Sequence, residues 1–279
     1  MHSVQHLIDI GLAEDIGSGD ITTETLVDPE LTGIGNIVAK EDLVLAGVDV
    51  ARQVFETLDP SLVFTPAFQD GDRVETGAGV LTVSGRLRTL LKGERTALNF
   101  LQRLSGIATQ VRSFADALAG RSVRLVDTRK TAPGWRVLEK YAVRIGGARN
   151  HRMGLYDGVL IKDNHIAVCG GVREAVNRAR KGASHLIKIE VEVADLAGVR
   201  EALDAGADVI MLDNMDESGI REAVGMIQDR ALVEVSGGVT RSDLTRLADL
   251  GVDIISSGAL THSARSVDLS MRIQGGGAP

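Results

Sequence analysis

The chain contains one cysteine, Cys169, and few aromatic residues. A single thiol excludes an intramolecular disulfide and any metal site that needs several thiolates. The surrounding sequence, AVCGG, shows no paired His and Asn, so we interpret Cys169 as a packing residue rather than a nucleophile. Aromatic residues make up only 3% of the chain, so Val, Ile, Leu and Ala must form the core. Such a core is typical of buried parallel strands covered by helices.

The sequence also lacks an apolar run near the roughly 20 residues that a membrane-spanning helix needs. Its first residues, MHSVQHLIDIGLAED, have neither the cationic start nor the small-residue cleavage site of a signal peptide. We therefore expect a cytoplasmic protein. With 279 residues, 44% of them hydrophobic, the chain can form one large α/β domain or a barrel with a smaller companion.

Positive charge is scarce overall, because the formal net charge is -7. This balance argues against a nucleic-acid partner, which would need a basic face spread over the fold. Residues 127–166 nevertheless concentrate cationic side chains. These are Arg129, Lys130, Arg136, Lys140, Arg144, Arg149, His151, Arg152, Lys162 and His165. A local cationic cluster in an acidic protein predicts a pocket for a small anion.

The first part of the chain predicts a mixed α+β lobe. Hydrophobic spacing predicts helices over 4–14, 47–58 and 90–107, and β-branched or glycine-punctuated runs predict strands over 33–40 and 62–68 and a hairpin over 70–85. Asp20 or Thr22 is expected to cap or pin the turn-rich stretch GSGDITTETL. Arg103 is expected on the solvated face of its helix. Gly106 is interpreted as the break between an N-terminal α+β sandwich lobe, 1–105, and a second domain, 106–279, whose C-terminal tail returns to the first lobe.

After residue 121, strand-like runs recur about every 20 to 35 residues with amphipathic segments between them. The runs are VRLVD, DGVLIKD, HLIKIEVEV, DVIMLDN, LVEVSGG and VDIISSG. Repeated strand–helix units with short loops predict a parallel sheet, here an incomplete (β/α) barrel of about six strands. An open doubly wound sheet is the alternative, but no GxGxxG motif follows a strand.

Charged and glycine-rich positions follow these strands, where the loops of such barrels converge on one mouth. They are Asp127, Arg129 and Lys130; Lys162 and Asp163; Glu190 and Glu192; Asp213 and Asn214; Ser236, Gly237 and Gly238; and Ser257 and Gly258. Backbone N–H groups of the last two loops can close on a phosphate. Each feature alone is weak evidence for a ligand site, since a glycine after a strand most often forms a tight turn. Together they predict a phosphorylated or polyanionic ligand.

Several long motifs occur along almost the whole chain. DTRKT, EKYAVRIGG, NHRMGLYD and LIKDNHI lie in the cationic segment, GSGDITTE and ERTALNFLQRLSGIAT precede it, and LDNM, VEVSGGVT and ISSGALTHSA follow. In this order they closely resemble the quinolinate phosphoribosyltransferase family, the decarboxylating nicotinate-nucleotide pyrophosphorylases of NAD biosynthesis. The resemblance implies phosphoribosyl transfer from phosphoribosyl pyrophosphate to quinolinate with decarboxylation. The products would be nicotinate mononucleotide, diphosphate and CO2.

The same resemblance implies a clamp for the two carboxylates of quinolinate, and planar guanidinium groups suit that purpose. The implied clamp residues are Arg129, His151 and Arg152, with Arg95 reaching in from the partner subunit of a homodimer. The implied catalytic residues are Lys130 and Lys162, beside quinolinate and the diphosphate, and Glu192 and Asp213. The two carboxylates would bind Mg²⁺, the only cofactor implied, and the ribose hydroxyls. The residues implied at the 5′-phosphate are Ser236, Gly237, Gly238, Ser257 and Gly258, with His262 nearby.

Two positions depart from the family pattern. Trp135 stands where leucine is usual after PG, and Ala148 replaces a glycine before NHR. A methyl group at Ala148 requires a backbone φ below zero. His165 is interpreted as a structural, hydrogen-bonded residue. Arg136, Lys140, Arg144 and Arg149 are expected to be surface or loop charges rather than ligands.

Two rival functions stay open. One is a paralogous phosphoribosyltransferase-like barrel acting on another aromatic carboxylate, which a comparison of quinolinate with nicotinate would distinguish. The other is a non-catalytic phosphate-binding barrel, which would need the phosphate loops but not Glu192, Asp213 and the clamp together. A type I phosphoribosyltransferase is disfavoured because no paired-acid signature ends a strand.

Overall fold

The structure is a computed structural model and describes residues 4–274, so the outermost positions of both predicted domains lie outside the described residues. The strands are β1 (Thr32–Ala39), β2 (Leu43–Val44), β3 (Val63–Pro66), β4 (Arg73–Val74), β5 (Gly79–Arg86), β6 (Arg124–Val126), β7 (Val159–Ile161), β8 (Ile189–Val193), β9 (Val209–Asp213), β10 (Leu232–Ser236), β11 (Ile254–Ser256) and β12 (Leu269–Gln274). The helices are α1 (Val4–Ile16), α2 (Ile21–Leu26), α3 (Val48–Leu58), α4 (Leu87–Ala117), α5 (Arg136–Gly146), α6 (Asp163–Cys169), α7 (Val172–Gly182), α8 (Leu196–Asp204), α9 (Glu217–Ile227), α10 (Leu244–Ala248) and α11 (Ala259–His262). Across this range, every helix is too short or too polar to cross a lipid bilayer.

The described residues form two compact units. The first comprises residues 4–112, 132–147 and 264–274, and the second comprises residues 113–131 and 148–263. The first unit contains a four-stranded sheet in the order β12-β1-β5-β3, in which every pair is antiparallel. Along β1, the buried residues Gly35, Ile37 and Ala39 alternate with more exposed residues, as expected for a sheet with one face on a core.

The predicted hairpin over 70–85 is wrong. β4 pairs with β2, with Leu43 opposite Val74, and β5 pairs instead with β1 and β3. Leu43 and Val74 are both buried, so the short β2–β4 ribbon is stabilised by packing between residues far apart in sequence. Glycine punctuation locates turns, but it does not determine which strands pair.

The helix α4 continues through Gly106, so the predicted boundary between the two domains lies inside a helix. A Cβ atom at Gly106 would lie 2.0 Å from the backbone oxygen of Arg265, so this glycine allows two backbone segments to approach closely. On the same helix, Phe100 stacks on Trp135 with ring centroids 4.9 Å apart. Trp135, the first departure from the family pattern, therefore has a packing role.

Two surface predictions in this unit are wrong. Arg103 donates to Glu139, with 2.7 Å between Nη2 and Oε1, and also to the backbone oxygen of Ala264. Only 1% of the Glu139 side chain is exposed. Lys140 is fully buried rather than a surface charge. Helical periodicity identifies the apolar stripe, but it does not reveal polar partners that allow a charge to be buried.

The second unit contains the predicted parallel sheet of six strands, in the order β6-β11-β10-β9-β8-β7. The six strand-like runs after residue 121 all form strands, and all the pairings between them are parallel. β6 and β7 lie at opposite ends of this order, so the barrel is incomplete, as predicted. An isolated parallel bridge between Val126 and Arg149 extends the edge beyond β6. This bridge brings the segment that follows residue 148 to the mouth of the barrel.

Candidate active site

A cavity of about 740 Å³ opens at the carboxyl ends of the six parallel strands. It is lined by all the predicted site residues of the second unit. These are Arg129, Lys130, His151, Arg152, Lys162, Glu192, Asp213, Ser236, Gly237, Gly238, Ser257, Gly258 and His262. Arg95 is not among the lining residues, and its side chain is exposed on α4 in the first unit.

The strand order determines which groups are neighbours around the mouth. The loops after β10 and β11, which carry the predicted phosphate-binding glycines, are adjacent, and β6 with Lys130 lies next to β11. Glu192 and Asp213 are carried by the adjacent strands β8 and β9. Lys162 directly follows β7, the neighbour of β8. The strand order therefore places Lys130 and the glycine-rich loops on one side of the mouth, and Asp213, Glu192 and Lys162 on the other.

Asp127 fixes the backbone of the clamp. It is fully buried, and its carboxylate accepts the His151 backbone N–H at 2.8 Å and the Asn150 side-chain amide at 2.6 Å. Backbone hydrogen bonds between residues 125–127 and Arg149 hold the same segment against β6. One carboxylate thus orients the segment that carries His151 and Arg152. Ala148, just before it, has the negative φ that its methyl group requires, since φ is positive at no described residue except glycines, Asn214, Gln228 and Asp229.

Arg152 and Arg129 create a concentrated positive field. Burial lowers the pKa of Arg152 from its ordinary value, and the nearby Arg129 lowers it further. Glu190 and Asp157 oppose this shift. Arg152 also donates to the backbone oxygen of Gly158 at 3.1 Å. Two partly buried guanidinium groups that destabilise each other favour binding of an anion between them.

Below the clamp, His151 contacts two buried carboxyl groups. Its Nε2 lies 3.0 Å from Oε2 of Glu190 and 3.6 Å from Oε2 of Glu234. Its Nδ1 accepts the backbone N–H of Arg152 at 2.8 Å, so the ring proton belongs on Nε2. The ring therefore connects the clamp with a buried acidic pair.

Glu192 and Asp213 present oxygen ligands of the kind that Mg²⁺ prefers. Glu192 is paired with Lys162, and Asp213 accepts the Asn214 side-chain amide at 2.9 Å. Because both carboxylates line one cavity from adjacent strands, the donor set fits a divalent cation.

The loop after β10 interlocks with Asn214. Gly237 has φ +95°, and a Cβ atom there would lie 2.2 Å from the Asn214 side-chain oxygen. Asn214 itself adopts φ +53°. A side chain at Gly237 would therefore be strained by its positive φ and would also clash with Asn214. In the neighbouring loop, the Thr261 hydroxyl donates to the Lys130 backbone oxygen at 2.7 Å and ties β11 to β6.

Sequence reasoning assigned no role to Glu234, and it named Asp127, Glu190 and Asn214 only as strand-end positions. A signal for Glu234 was present, because a carboxylate inside the hydrophobic strand LVEVS is costly to bury without a function. His165 accepts the Lys162 backbone N–H at 2.9 Å, which agrees with its predicted structural role.

Comparison with known families agrees with this geometry. Residues 20–105 match the family described as "Quinolinate phosphoribosyl transferase, N-terminal domain", and residues 107–272 match the corresponding "C-terminal domain". The chain belongs to the quinolinate phosphoribosyl transferase family. The predicted resemblance is therefore confirmed over nearly the whole sequence.

Relatives in the quinolinate phosphoribosyl transferase family cover almost the full chain. A Bacillus subtilis protein named "Probable nicotinate-nucleotide pyrophosphorylase (carboxylating)" is 43% identical over 270 residues, which are 97% of this chain and 93% of that protein. "Quinolinate phosphoribosyltransferase (decarboxylating) 1b" of Nicotiana tabacum is 39% identical over 98% of this chain and 83% of its own length. The crystal structure of NadC from Streptococcus pyogenes superimposes with a TM-score of 0.94 at 43% identity, over 97% of this chain and 96% of that one.

Proposed function

We propose that this enzyme transfers the phosphoribosyl group of phosphoribosyl pyrophosphate to quinolinate and decarboxylates the adduct to nicotinate mononucleotide. The observation that carries the proposal is the composition of one cavity, which combines an arginine clamp, two strand-end carboxylates and two glycine-rich loops. Membership of the quinolinate phosphoribosyl transferase family supports the same reaction. A phosphate-binding barrel without catalysis would not need the clamp and the carboxylates together.

In the proposed complex, Arg129 and Arg152 bind the two carboxylates of quinolinate. Guanidinium forks form two parallel hydrogen bonds to a carboxylate and so fix both its position and its orientation. His151 contributes to the same clamp from its position above Glu190. Lys130 and Lys162 are expected beside quinolinate and the diphosphate.

Phosphoribosyl pyrophosphate is expected to bind across the remaining mouth. The backbone of Ser236–Gly238 and of Ser257–Gly258 would bind the 5′-phosphate, with His262 beside it. Glu192 and Asp213 would hold Mg²⁺, which would neutralise the leaving diphosphate. The pyridine nitrogen then attacks the anomeric carbon as diphosphate leaves, and a carboxylate facing the ribose stabilises the positive charge that develops there.

The assay that tests this function mixes the protein with quinolinate, phosphoribosyl pyrophosphate and Mg²⁺. We expect nicotinate mononucleotide, diphosphate and CO2 in equal amounts. Nicotinate in place of quinolinate should react at least ~100-fold more slowly, because one clamp partner would be left unpaired. Equal rates with the two acids would indicate a paralogous activity, and the absence of all products would contradict the proposal.

We propose a homodimer in which Arg95 completes the active site of the partner subunit. Support comes from the exposure of Arg95 and from its absence among the residues that line the cavity. The cytoplasmic location stays a prediction.

Mixing Arg95→Ala protein with Lys130→Ala protein should restore part of the activity, because a hybrid dimer would contain one intact shared site. Activity is measured after subunit exchange has been verified with a mass-tagged chain. Arg88→Ala replaces Arg95→Ala as the matched control, since Arg88 lies on the same helix and donates to the backbone oxygens of Val27 and Glu24. Verified exchange without recovered activity would contradict the shared site.

A further inference from the structure

Two buried carboxyl groups lie directly beneath an anion-binding clamp, where two negative charges would weaken binding. Relative exposure is 7% for Glu190 and 1% for Glu234. In each of them Oε1 has no hydrogen-bond partner, although the other oxygen faces His151. A buried oxygen without a partner is costly for an ionised carboxylate and less costly for a neutral acid. The geometry therefore indicates that one of the two groups carries a proton.

Electrostatics assign that proton to Glu234. Burial raises the pKa of Glu234 to about 7, and the charge of Glu190 contributes to the rise. His151 and the Ser256 hydroxyl act in the opposite direction. These groups, from β8, β11 and the clamp segment, are the titratable and polar groups that face Glu234. Below pH 7 Glu234 is thus a carboxylic acid that lines the substrate cavity.

We propose that Glu234 is a catalytic acid that protonates C2 of the pyridine ring after CO2 has left. This inference rests on the proposed function, which requires a proton at C2 but leaves its source open. Glu234 lies beside His151, whose other neighbour Glu190 also acts on Arg152 of the clamp. Because the proposed clamp binds both carboxylates of quinolinate, it also holds C2, the carbon that must be protonated, close to His151 and Glu234.

The bonds balance without a further reactant. The bond between C2 and the carboxylate carbon breaks, its electron pair stays on C2 beside the cationic ring nitrogen, and CO2 leaves. The O–H of Glu234 gives its proton to that electron pair, which forms the C2–H bond of nicotinate mononucleotide. Glu234 becomes a carboxylate, which the Nε2–H of His151 at 3.6 Å can approach and stabilise. Water restores the proton to Glu234 before the next turnover.

Other proton donors in the cavity are less suitably placed. Lys162 is paired with Glu192 on the side of β7 and β8. Lys130 lies on the side of the phosphate loops. A Cβ atom on Gly258 would meet the side chains of both Lys130 and His262, so both side chains lie close to Gly258. Glu234 is therefore the carboxyl group that lies beside the clamp residue His151 among the described residues that line the cavity.

Glu234→Gln tests the proposal, since it keeps the shape and removes the acid. In a single turnover followed by rapid quench, diphosphate release should stay within ~3-fold of wild type. Formation of nicotinate mononucleotide should fall at least ~100-fold, the usual contribution of general acid catalysis, and quinolinate mononucleotide should accumulate. Glu234→Asp, which restores a carboxylic acid, should recover part of the second step. A purely structural role would lower both steps together, and that result, or an unchanged second step, would overturn the proposal.

A second measurement needs no variant. In single turnovers of the wild-type enzyme, the rate constant of nicotinate mononucleotide formation, divided by that of diphosphate release, should fall as the pH rises through about 7, because Glu234 then loses its proton. A ratio that is constant between about pH 6 and pH 9 would overturn the proposal. Failure of the wild type to release any diphosphate from quinolinate and phosphoribosyl pyrophosphate would instead contradict the proposed function.

Discussion

Replacing Arg152 by alanine is expected to lower kcat/KM for quinolinate at least ~30-fold. Removing one partner of a desolvated charge pair costs about 2–5 kcal/mol, and each 1.4 kcal/mol corresponds to about a factor of ten. Arg152 is partly buried near Arg129, and both burial and Arg129 disfavour its charge, which a bound anion would stabilise. The loss should appear in kcat/KM measured at subsaturating quinolinate, with phosphoribosyl pyrophosphate in excess. Arg129→Ala should have an effect of the same size.

Two further substitutions make this measurement specific. Arg149→Ala removes the same side chain three residues earlier, from an exposed position that does not line the cavity, and should change kcat/KM less than ~3-fold. Arg152→Lys keeps the charge but loses the planar fork, so its activity should be intermediate. Full activity of a folded Arg152→Ala enzyme would show that the clamp is assigned wrongly.

Sequence patterns predicted which residues meet at one cavity because these residues follow strands. Strand-like runs are local signals, and the carboxyl ends of parallel strands meet at one mouth whatever the details of packing. Lys130, Lys162 and Asp213 could thus be placed together before any coordinates were known. The residues that hold the site, such as Asp127 and Asn214, act through backbone and side-chain contacts that have no periodic signature.

The predictions that failed share a physical cause. The pairing of β4 with β2 and the burial of Lys140 both depend on contacts between residues distant in sequence. Glycine indicates that the backbone is free of a side chain, but it does not distinguish a break from a close approach. Lysine on an amphipathic helix is usually solvated, and only its actual neighbours reveal the exception.

The acidic pair beneath the clamp connects binding with chemistry. Glu190 moderates the repulsion between the clamp arginines, since its charge raises the pKa of Arg152 while burial and Arg129 lower it. The same charge helps to keep Glu234 protonated. One carboxylate, Glu190, therefore acts both on Arg152 of the proposed clamp and on the acid that we propose for the last step.

Replacing Arg103 by alanine is expected to lower the free energy of unfolding by about 3 kcal/mol, near the lower limit for breaking a buried ion pair. The Glu139 side chain is only 1% exposed and would lose its hydrogen bonds from Nε and Nη2 of Arg103. The backbone oxygen of Ala264 would lose a donor at 2.6 Å as well. The buried carboxylate would lack its cation and the carbonyl oxygen would lack its donor, and both changes lower the free energy of unfolding. Chemical denaturation followed by circular dichroism at neutral pH measures the change.

Arg52→Ala is the matched control, because Arg52 pairs with Asp49 on α3 where the two side chains are 43% and 73% exposed. It should cost less than ~1 kcal/mol, as solvent-exposed pairs usually do. The double variant Arg103→Met with Glu139→Gln should recover part of the loss, since it removes the buried charge together with its partner. If Arg103→Ala were as mild as Arg52→Ala, the pair would not stabilise the first unit. An equal loss in the single and double variants would instead assign the effect to the bond with Ala264.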